Sequence, residues 1–525
     1  MEFVKSKLYL TVLLCLVCTY VFGQDTYVRY NLISKKGQAH LKAYNRAIAE
    51  MKMLNCDHPR SWFFQGAIHG VVDPDAVGPQ SQDGISIDPE GCMNYQWNYQ
   101  KLVFNETCKE PWGTCNHQYA EEPFTFLVWH RLYLYHFERT IRSFLEEGSD
   151  FALPYWDYTK LDQRVLPERF RDSNSKLYTS SRDLDVNSGS PMRWLPAIYN
   201  DSVDYFQYYV DQLQTFDSWD GFLTGMGQGL HGLVHMSVGG DYRKYNKDKS
   251  GSDKVFVENE ILRKPTEIGL MSNTTTAGYD PIFYIHHTQI DHLWEQWKTK
   301  HPEQAAKAGL DELIKDDFNQ YIFYDPELGR VRYSIEEAWE KYKEIQETIF
   351  YDSLPEELRD SPATEELLQD NLRIELLSVQ AEQSIKMNSG LLIEAPESLS
   401  FNAFDRSNIK KRNQEDFVLQ ALIELSSTSE PLPFSVYLKD DNNVKEYLVG
   451  LVASFGAAHH HEHGSGHRIT IDFKLELPSE LEDLDLFDIE RGEKIHDFEI
   501  IFRSALEQQQ DIRLESFKLE AVILN

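Results

Sequence analysis

Cysteine, basic side chains and long apolar runs are all scarce in this chain. It has 6 cysteines in 525 residues. Cys15 and Cys18 fall in an apolar N-terminal stretch, which leaves Cys56, Cys92, Cys108 and Cys115 for the folded protein. Four are too few for a disulfide-built scaffold, although a bridge is allowed in an oxidising compartment. Lys and Arg number 52 against 84 Asp and Glu, a formal charge of −32. Such a surface repels phosphate backbones and anionic lipid, which argues against nucleic acid or a membrane surface as partner. Past the N-terminus no apolar run is long enough to cross a bilayer, and no internal repeat is present. Core-forming material is plentiful: 41% hydrophobic and 13% aromatic residues exclude a disordered chain. At roughly 150 residues per domain the length predicts about two to four domains.

The N-terminus bears on the compartment. Met1–Gly23 has a short basic start (Lys5, Lys7), the apolar run Leu8–Phe22 and then small Gly23. This pattern predicts a cleaved secretory signal over 1–23 and a secreted, extracellular protein. A signal anchor is the alternative, disfavoured because the run is shorter than ~20 residues. Sequons at Asn105, Asn200 and Asn273 fit a secreted glycoprotein.

Helical periodicity is present over Ala39–Met53, 124–147, 282–300 and 334–349. The third of these is opened by Asp280-Pro281, a capping residue followed by a first-turn proline. Residues 71–116, rich in Gly, Pro, Asn, Asp and Gln, read as one long loop region. The acidic, proline-containing segment 352–370 marks a linker, taken to run to residue 385. Beyond it, period-two alternation around Leu391, Phe417, Phe434, Arg468, Phe498 and Leu519 predicts six or seven short strands. The expected architecture is a mainly α domain over 24–351, a linker over 352–385 and a β-sandwich over 386–525.

The histidines carry the chemistry. One cluster is His69, His117 and His130, with His136 nearby; another is His231, His235, His286 and His287, with His292 nearby. His231-Gly-Leu-Val-His235 puts two imidazoles one turn apart on a helix face, able to chelate a metal. Core or surface histidines are the bland reading of that pair alone. A zinc-peptidase pattern needs Glu after the first His, and Gly232 stands there. Imidazole ligation without carboxylate or thiolate suits zinc, copper, iron or nickel. Two three-histidine sites in one helical domain favour a coupled pair of copper ions and redox chemistry with O₂.

Several strings resemble the type-3 copper family of tyrosinases, catechol oxidases (polyphenol oxidases) and hemocyanins. They are Ala67-Ile-His69-Gly70, Cys115-Asn-His117, Trp129–Arg139, Ala152-Leu-Pro-Tyr-Trp-Asp157, His231–His235 with Val238-Gly-Gly240, and Asp280–Trp297. Phe323-Tyr-Asp325, Pro433–Tyr437 and Leu448–Phe455 resemble the plant-type polyphenol oxidases and their C-terminal domain. The likeness extends over about residues 27–525. It implies a four-helix bundle holding two copper ions, with the β domain packed over the site. His69, His117 and His130 would bind one copper, and His231, His235 and His287 the other. His286 would stand behind the ligands, and no side chain beyond the ligands would be catalytic. Arg131 and Asp291, read from the sequence, are either a pair that orients helices or an ordinary surface contact. The resemblance implies oxidation of o-diphenols to o-quinones, with phenols, catechols or tyrosine and DOPA side chains as substrates. It also implies a latent form shielded by the β domain and opened by a protease cutting the linker. A hemocyanin-like oxygen carrier and a non-catalytic secreted matrix protein are the alternatives.

The sequence departs from the family pattern at particular residues. The second ligand of the first copper ordinarily lies nine residues before the third, where Glu121 stands; His117 lies 13 before it and implies a four-residue insertion. Cys115, two residues before His117, has the spacing that carries a Cys–His thioether in fungal and molluscan relatives. A free or disulfide-bonded thiol is the alternative; with the thioether formed, Cys92–Cys108 is a plausible disulfide and Cys56 is left odd. Gly232 replaces the Asn found in many monophenol hydroxylases, which favours diphenol oxidation. Thr274 stands where plant-type members often carry a Phe gate, which implies a wider entrance. The tract His459-His-His-Glu-His463, with His467, reads as a solvated hairpin tip or a weak metal-capture site.

Overall fold

A computed structural model describes residues 26–55, 58–70, 123–192, 213, 222, 225–242, 246, 249–250, 253–261, 264–306 and 321–353, together with the strands of the C-terminal domain. The expected signal segment 1–23, the whole of the expected 71–116 loop with Cys115, His117 and the His459–His463 tract lie outside the described residues.

Six helices organise the first domain. Helix α1 (Lys35–Met51) starts at Ser34, whose side chain accepts the Gly37 N–H, and buries Leu41, Tyr44, Ile48 and Met51 at helical spacing. Helix α2 (Trp62–His69) is capped in the same way by Ser61 and ends on His69. Helix α3 (Pro123–Arg142) stops five residues before the periodicity at 147, the chain turning after Arg142. A π-helical turn, Gly225–His231, runs directly into α4 (Gly232–Gly239). Helix α5 (Ile282–Lys300) is buried on every face from Ile282 to Trp294, as a helix at the centre of a domain must be. The Ile282 N–H donates to Asp280 Oδ1 at 3.1 Å, so Asp280 closes the free end of α5 as its sequence context predicts. Helix α6 (Ile335–Thr348) carries a full capping box between Ser334 and Glu337.

The core sits between α3 and α5, with α1 and α6 against α3. Phe137 stacks on Tyr284 with centroids 3.6 Å apart, and Tyr133 and Tyr284 pair their hydroxyls at 2.9 Å. Burying each such ring stabilises the fold by roughly 1.5–3 kcal/mol. Short strands close the domain. β1 (Tyr27–Arg29) pairs in parallel with a strand at the far end, Ile349–Tyr351. Two antiparallel pairs lie between them: β2 (Val257–Asn259) with β3 (Lys264–Thr266), and β4 (Tyr321–Asp325) with β5 (Gly329–Tyr333). The strand Ile349–Tyr351 is β6.

Buried charge joins these pieces. Arg29 of β1 donates to Glu138 of α3 at 2.9 Å, and to Asp291 of α5 and Tyr351 of β6 at 2.8 Å each. Arg131 of α3 donates to Asp291 at 2.6 Å, pairs with Glu295 and lies over the Trp294 ring. Burial alone would raise the Asp291 carboxyl, but Arg131 and Arg29 outweigh it and hold it below the usual range.

The C-terminal domain has eight described strands in two antiparallel sheets. They are β7 (Leu372–Ser384), β8 (Gly390–Ile393), β9 (Phe417–Ser427), β10 (Phe434–Asp440), β11 (Glu446–Val452), β12 (Ile469–Glu476), β13 (Phe498–Ser504) and β14 (Ile512–Ile523). One sheet has the order β11-β10-β13-β8 and the other β12-β9-β14-β7. Phe434, Val436, Ile500 and Phe502 are buried from the first, and Ile423, Leu514 and Phe517 from the second. Two expectations are corrected. The linker does not run to 385, because β7 lies inside it and pairs along β14 from Leu372 to Ser384. The six alternating stretches become eight described strands: β7 is added because its alternation from Leu372 adjoins the acidic linker, and β11, Glu446–Val452, because its pattern is interrupted by Gly450. β11 and β12 pack against the π-helical turn Gly225–His231.

Candidate metal centre

Four helical segments bring the predicted histidines together. His69 ends α2, His130 lies in mid α3, His231 closes the π-helical turn, His235 lies one turn on in α4, and His286 and His287 share α5. All six are buried. Ring centroids separate His69 and His130 by 5.8 Å, His231 and His235 by 4.5 Å, and His231 and His287 by 5.1 Å. His287 stands between the clusters, stacked on His130 at 4.0 Å and 6.4 Å from His69.

The hydrogen bonds of the rings decide what they can bind. His69 Nδ1 is 3.1 Å from the Thr274 carbonyl, His130 Nδ1 is 2.8 Å from Phe126 O, and His235 Nδ1 is 2.7 Å from Met271 O. A carbonyl only accepts, so each Nδ1 carries the proton and each Nε2 keeps its lone pair. Burial, joined by the neighbouring imidazoles, holds His235, His286 and His287 well below the usual imidazole range, so these rings are neutral. Both nitrogens of His287 and Nε2 of His286 are buried with no hydrogen-bond partner. One nitrogen from each of His231, His235, His286 and His287 lies within 4.8 Å of the others. Neutral, lone-pair-bearing, buried imidazoles without a carboxylate or thiolate in the group fit copper as a bound metal.

His286 lies inside the metal-capable group, with Nδ1 3.0 Å from the Tyr158 hydroxyl and its ring stacked on His231. Arg131 and Asp291 form the bonded pair already described, one turn beyond His287. Gly232 is the first residue of α4 and places no side chain beside His231. Thr274 opens a short helix, Thr274–Ala277, and is buried with its carbonyl on His69. His136 pairs with Asp325 at 3.3 Å and Tyr333 at 3.0 Å, and His292 with Ser353 at 2.6 Å; both serve packing between elements. His117, Cys115 and the rival Glu121 fall outside the described residues. Sequence reasoning did not single out Tyr158, Arg29, Phe126 O or Met271 O. The two carbonyls leave no signal in residue identity, and Arg29 and Tyr158 lie far along the chain from their partners.

A histidine-only centre shared by four helices, with a second cluster within ring contact of the first, defines the class of type-3 copper proteins, which hold two copper ions. Comparison with known proteins narrows the class. The common central domain of tyrosinase matches residues 59–194 and 167–300. The (+)-larreatricin hydroxylase of Larrea tridentata, a chloroplastic protein, is 24% identical over 484 residues, covering 85% of this chain and 71% of that one. Tyrosinase HcTyr1 of a Hahella species is 26% identical over 288 residues, 54% of each chain. A chloroplastic polyphenol oxidase latent form of Prunus armeniaca is 22% identical over 425 residues, 77% of this chain and 61% of its own. The chain therefore spans less than two thirds of two of these three relatives. Among solved structures, a latent aurone synthase superposes with a TM-score of 0.59 at 19% identity, covering 96% of this chain and 90% of that one. Latent apple tyrosinase gives 0.56 at 17%, covering 95% and 97%. Residues 59–300 of the chain carry the common central domain of tyrosinase, the domain of type-3 copper proteins.

Proposed function

We propose that this protein is a secreted oxidase that uses O₂ to convert o-diphenols to o-quinones, with His69, His117 and His130 on one copper and His231, His235 and His287 on the other. The observation that carries this reading is the convergence of five described members of that set, from four helical segments, through ring-to-ring contacts of 4.0–6.4 Å. Two bound coppers supply the electron transfer between phenol and oxygen. Two diphenols and one O₂ give two quinones and two waters.

The chain's own residues hold the geometry and exclude water. Three backbone carbonyls keep His69, His130 and His235 in the lone-pair-bearing tautomer. Phe283 packs on His69 at 4.5 Å and on His287 at 4.3 Å, and Phe126 on His130 at 4.5 Å and His231 at 4.8 Å. These rings keep the imidazoles in an apolar surround, where the neutral form is favoured. Gly232 offers no side-chain hydrogen-bonding group beside His231 to hold a water for deprotonating a monophenol, which supports diphenols as the substrate class.

Latency belongs to the same proposal. Packing of β11 and β12 on the turn that ends in His231 supports a β domain that shields the centre, and a cut between Ser353 and Leu372 would separate the two domains. Secretion rests on Met1–Gly23; among the described residues no helix is long and apolar enough to cross a membrane, and several relatives are named as chloroplastic. The test is oxygen uptake by the full, copper-loaded chain with a catechol and with a monophenol, before and after limited proteolysis. Catechol turnover that rises on cleavage and exceeds monophenol turnover is expected. Two coppers per chain with no catechol turnover, cut or uncut, would overturn the reading in favour of oxygen carriage.

A further inference from the structure

The segment from Leu270 to Ala277 touches both halves of the metal centre through its backbone. Its 3₁₀ turn, Leu270–Ser272, offers the Met271 carbonyl to His235 Nδ1 at 2.7 Å. Its short helix, Thr274–Ala277, offers the Thr274 carbonyl to His69 Nδ1 at 3.1 Å. Asn273 is the extended residue between them, at φ −124° and ψ 117°. Its Oδ1 accepts the Thr275 N–H at 3.0 Å and the Thr275 hydroxyl at 2.7 Å. Thr276 Oγ1 then closes the segment on the Leu270 carbonyl at 3.0 Å.

We propose that Asn273 is a positioning residue for both coppers, acting through the Thr274 carbonyl on His69 and the Met271 carbonyl on His235. This rests on His69 and His235 being copper ligands. A four-residue helix does not hold itself, because its first turn fixes several dihedrals for one hydrogen bond. The Asn273 cap supplies the missing acceptor and sets the direction of the Thr274 carbonyl. The surroundings leave the segment no slack. A Cβ on Gly239 would lie 2.3 Å from Ser272 N, one on Gly70 2.8 Å from Thr274 O, and one on Gly278 2.9 Å from the His69 Cβ. Carbonyls that orient ligand rings set tautomer and aim, and losing such support costs about 10- to 100-fold in metal affinity. One segment serves a ligand from each three-histidine set, so its disturbance reaches both metals.

Asn273-Thr274-Thr275 is also a glycosylation sequon, and substitution separates the two roles. N273A removes the cap and the sequon. N273D keeps the capping oxygen and removes the sequon. Each full-length variant is loaded with copper, and copper loss to a chelator is followed together with the electron paramagnetic signal of uncoupled cupric ion. N273A is expected to lose both coppers roughly 10- to 100-fold faster than the parent and to show the uncoupled signal, while N273D tracks the parent. Copper retention by N273A equal to the parent overturns the proposal. So does N273D behaving like N273A, which would assign the effect to the glycan, and so does a metal-free N273A whose melting temperature falls as far as the loaded form's, which would assign it to the fold at large. A parent chain that does not take up two coppers overturns the ligand assignment itself, and this inference with it.

Discussion

A neutral imidazole has one donor nitrogen and one acceptor, so whatever holds the first decides what the second can bind. Carbonyls of Phe126, Met271 and Thr274 hold the donor side of three rings here. His287, which stacks on His130 and faces both clusters, is the ring on which the two halves meet. Replacing it, His287→Gln, should lower copper from about two to about one per chain and abolish catechol turnover, read by metal analysis and oxygen uptake. Arg131 answers to a different rule. It helps neutralise Asp291 and Glu295 in the core, so Arg131→Leu leaves Arg29 as the cation on Asp291 and Lys298 as the cation on Glu295 and should destabilise by up to about 3–5 kcal/mol in denaturant unfolding. His292 makes stability depend on pH. Burial lowers it from 6.5 to about 3, so between those values the unfolded chain binds a proton that the folded chain refuses. Its contribution is complete above about 6.5 and is lost on acidification at roughly 1.4 kcal/mol per pH unit down to about 3. A His292→Gln variant should show a correspondingly flatter stability profile over that window.

At the scale of elements, the helices divide by what they bury. α5 is surrounded by protein, and its length matches its sequence pattern from Ile282 to Lys300. α6 covers the core from outside and depends on its ends. Removing its cap with Ser334→Ala should cost about 1 kcal/mol of stability and leave copper content unchanged, since Ser334 lies on the exposed side. The turn before α4 is wound as a π-helix from Gly225 to His231, and the α-helical spacing of His231 and His235 begins only at its last residue. Glycines at 225, 227 and 229 permit that winding, and π turns recur at functional sites.

For the whole molecule the question is how the two ends of the helical domain are held. Arg29 bridges β1 to Glu138, Asp291 and Tyr351. Just past β6, Asp352 accepts from Tyr155 at 2.8 Å and Ser353 meets His292 at 2.6 Å. A cut after Ser353 spares all of these. Chain cleaved there should keep its coppers and gain activity, whereas cleavage before β6 should release copper; metal analysis of the isolated fragments distinguishes the two. Burial of charged partners explains the difference, because an Asp291 stripped of Tyr351 and of a fixed Arg29 is an ill-compensated charge in the core.

The sequence by itself determined what is local. Helical periods, the Asp280-Pro281 start of α5, the i, i+4 spacing of His231 and His235 and the alternation of most strands follow from side-chain type and order, because backbone periodicity is a short-range property. The histidine strings carried the family resemblance for the same reason. Tertiary structure alone decided which partners meet. Arg29 reaches Asp291 across 262 positions, Thr274 supplies a carbonyl to His69 across 205, and β7 finds β14 from the far end of its domain. A carbonyl is the same in every residue and an ion pair is defined by three-dimensional proximity, so neither is written in the order of the letters; packing had to bring them together.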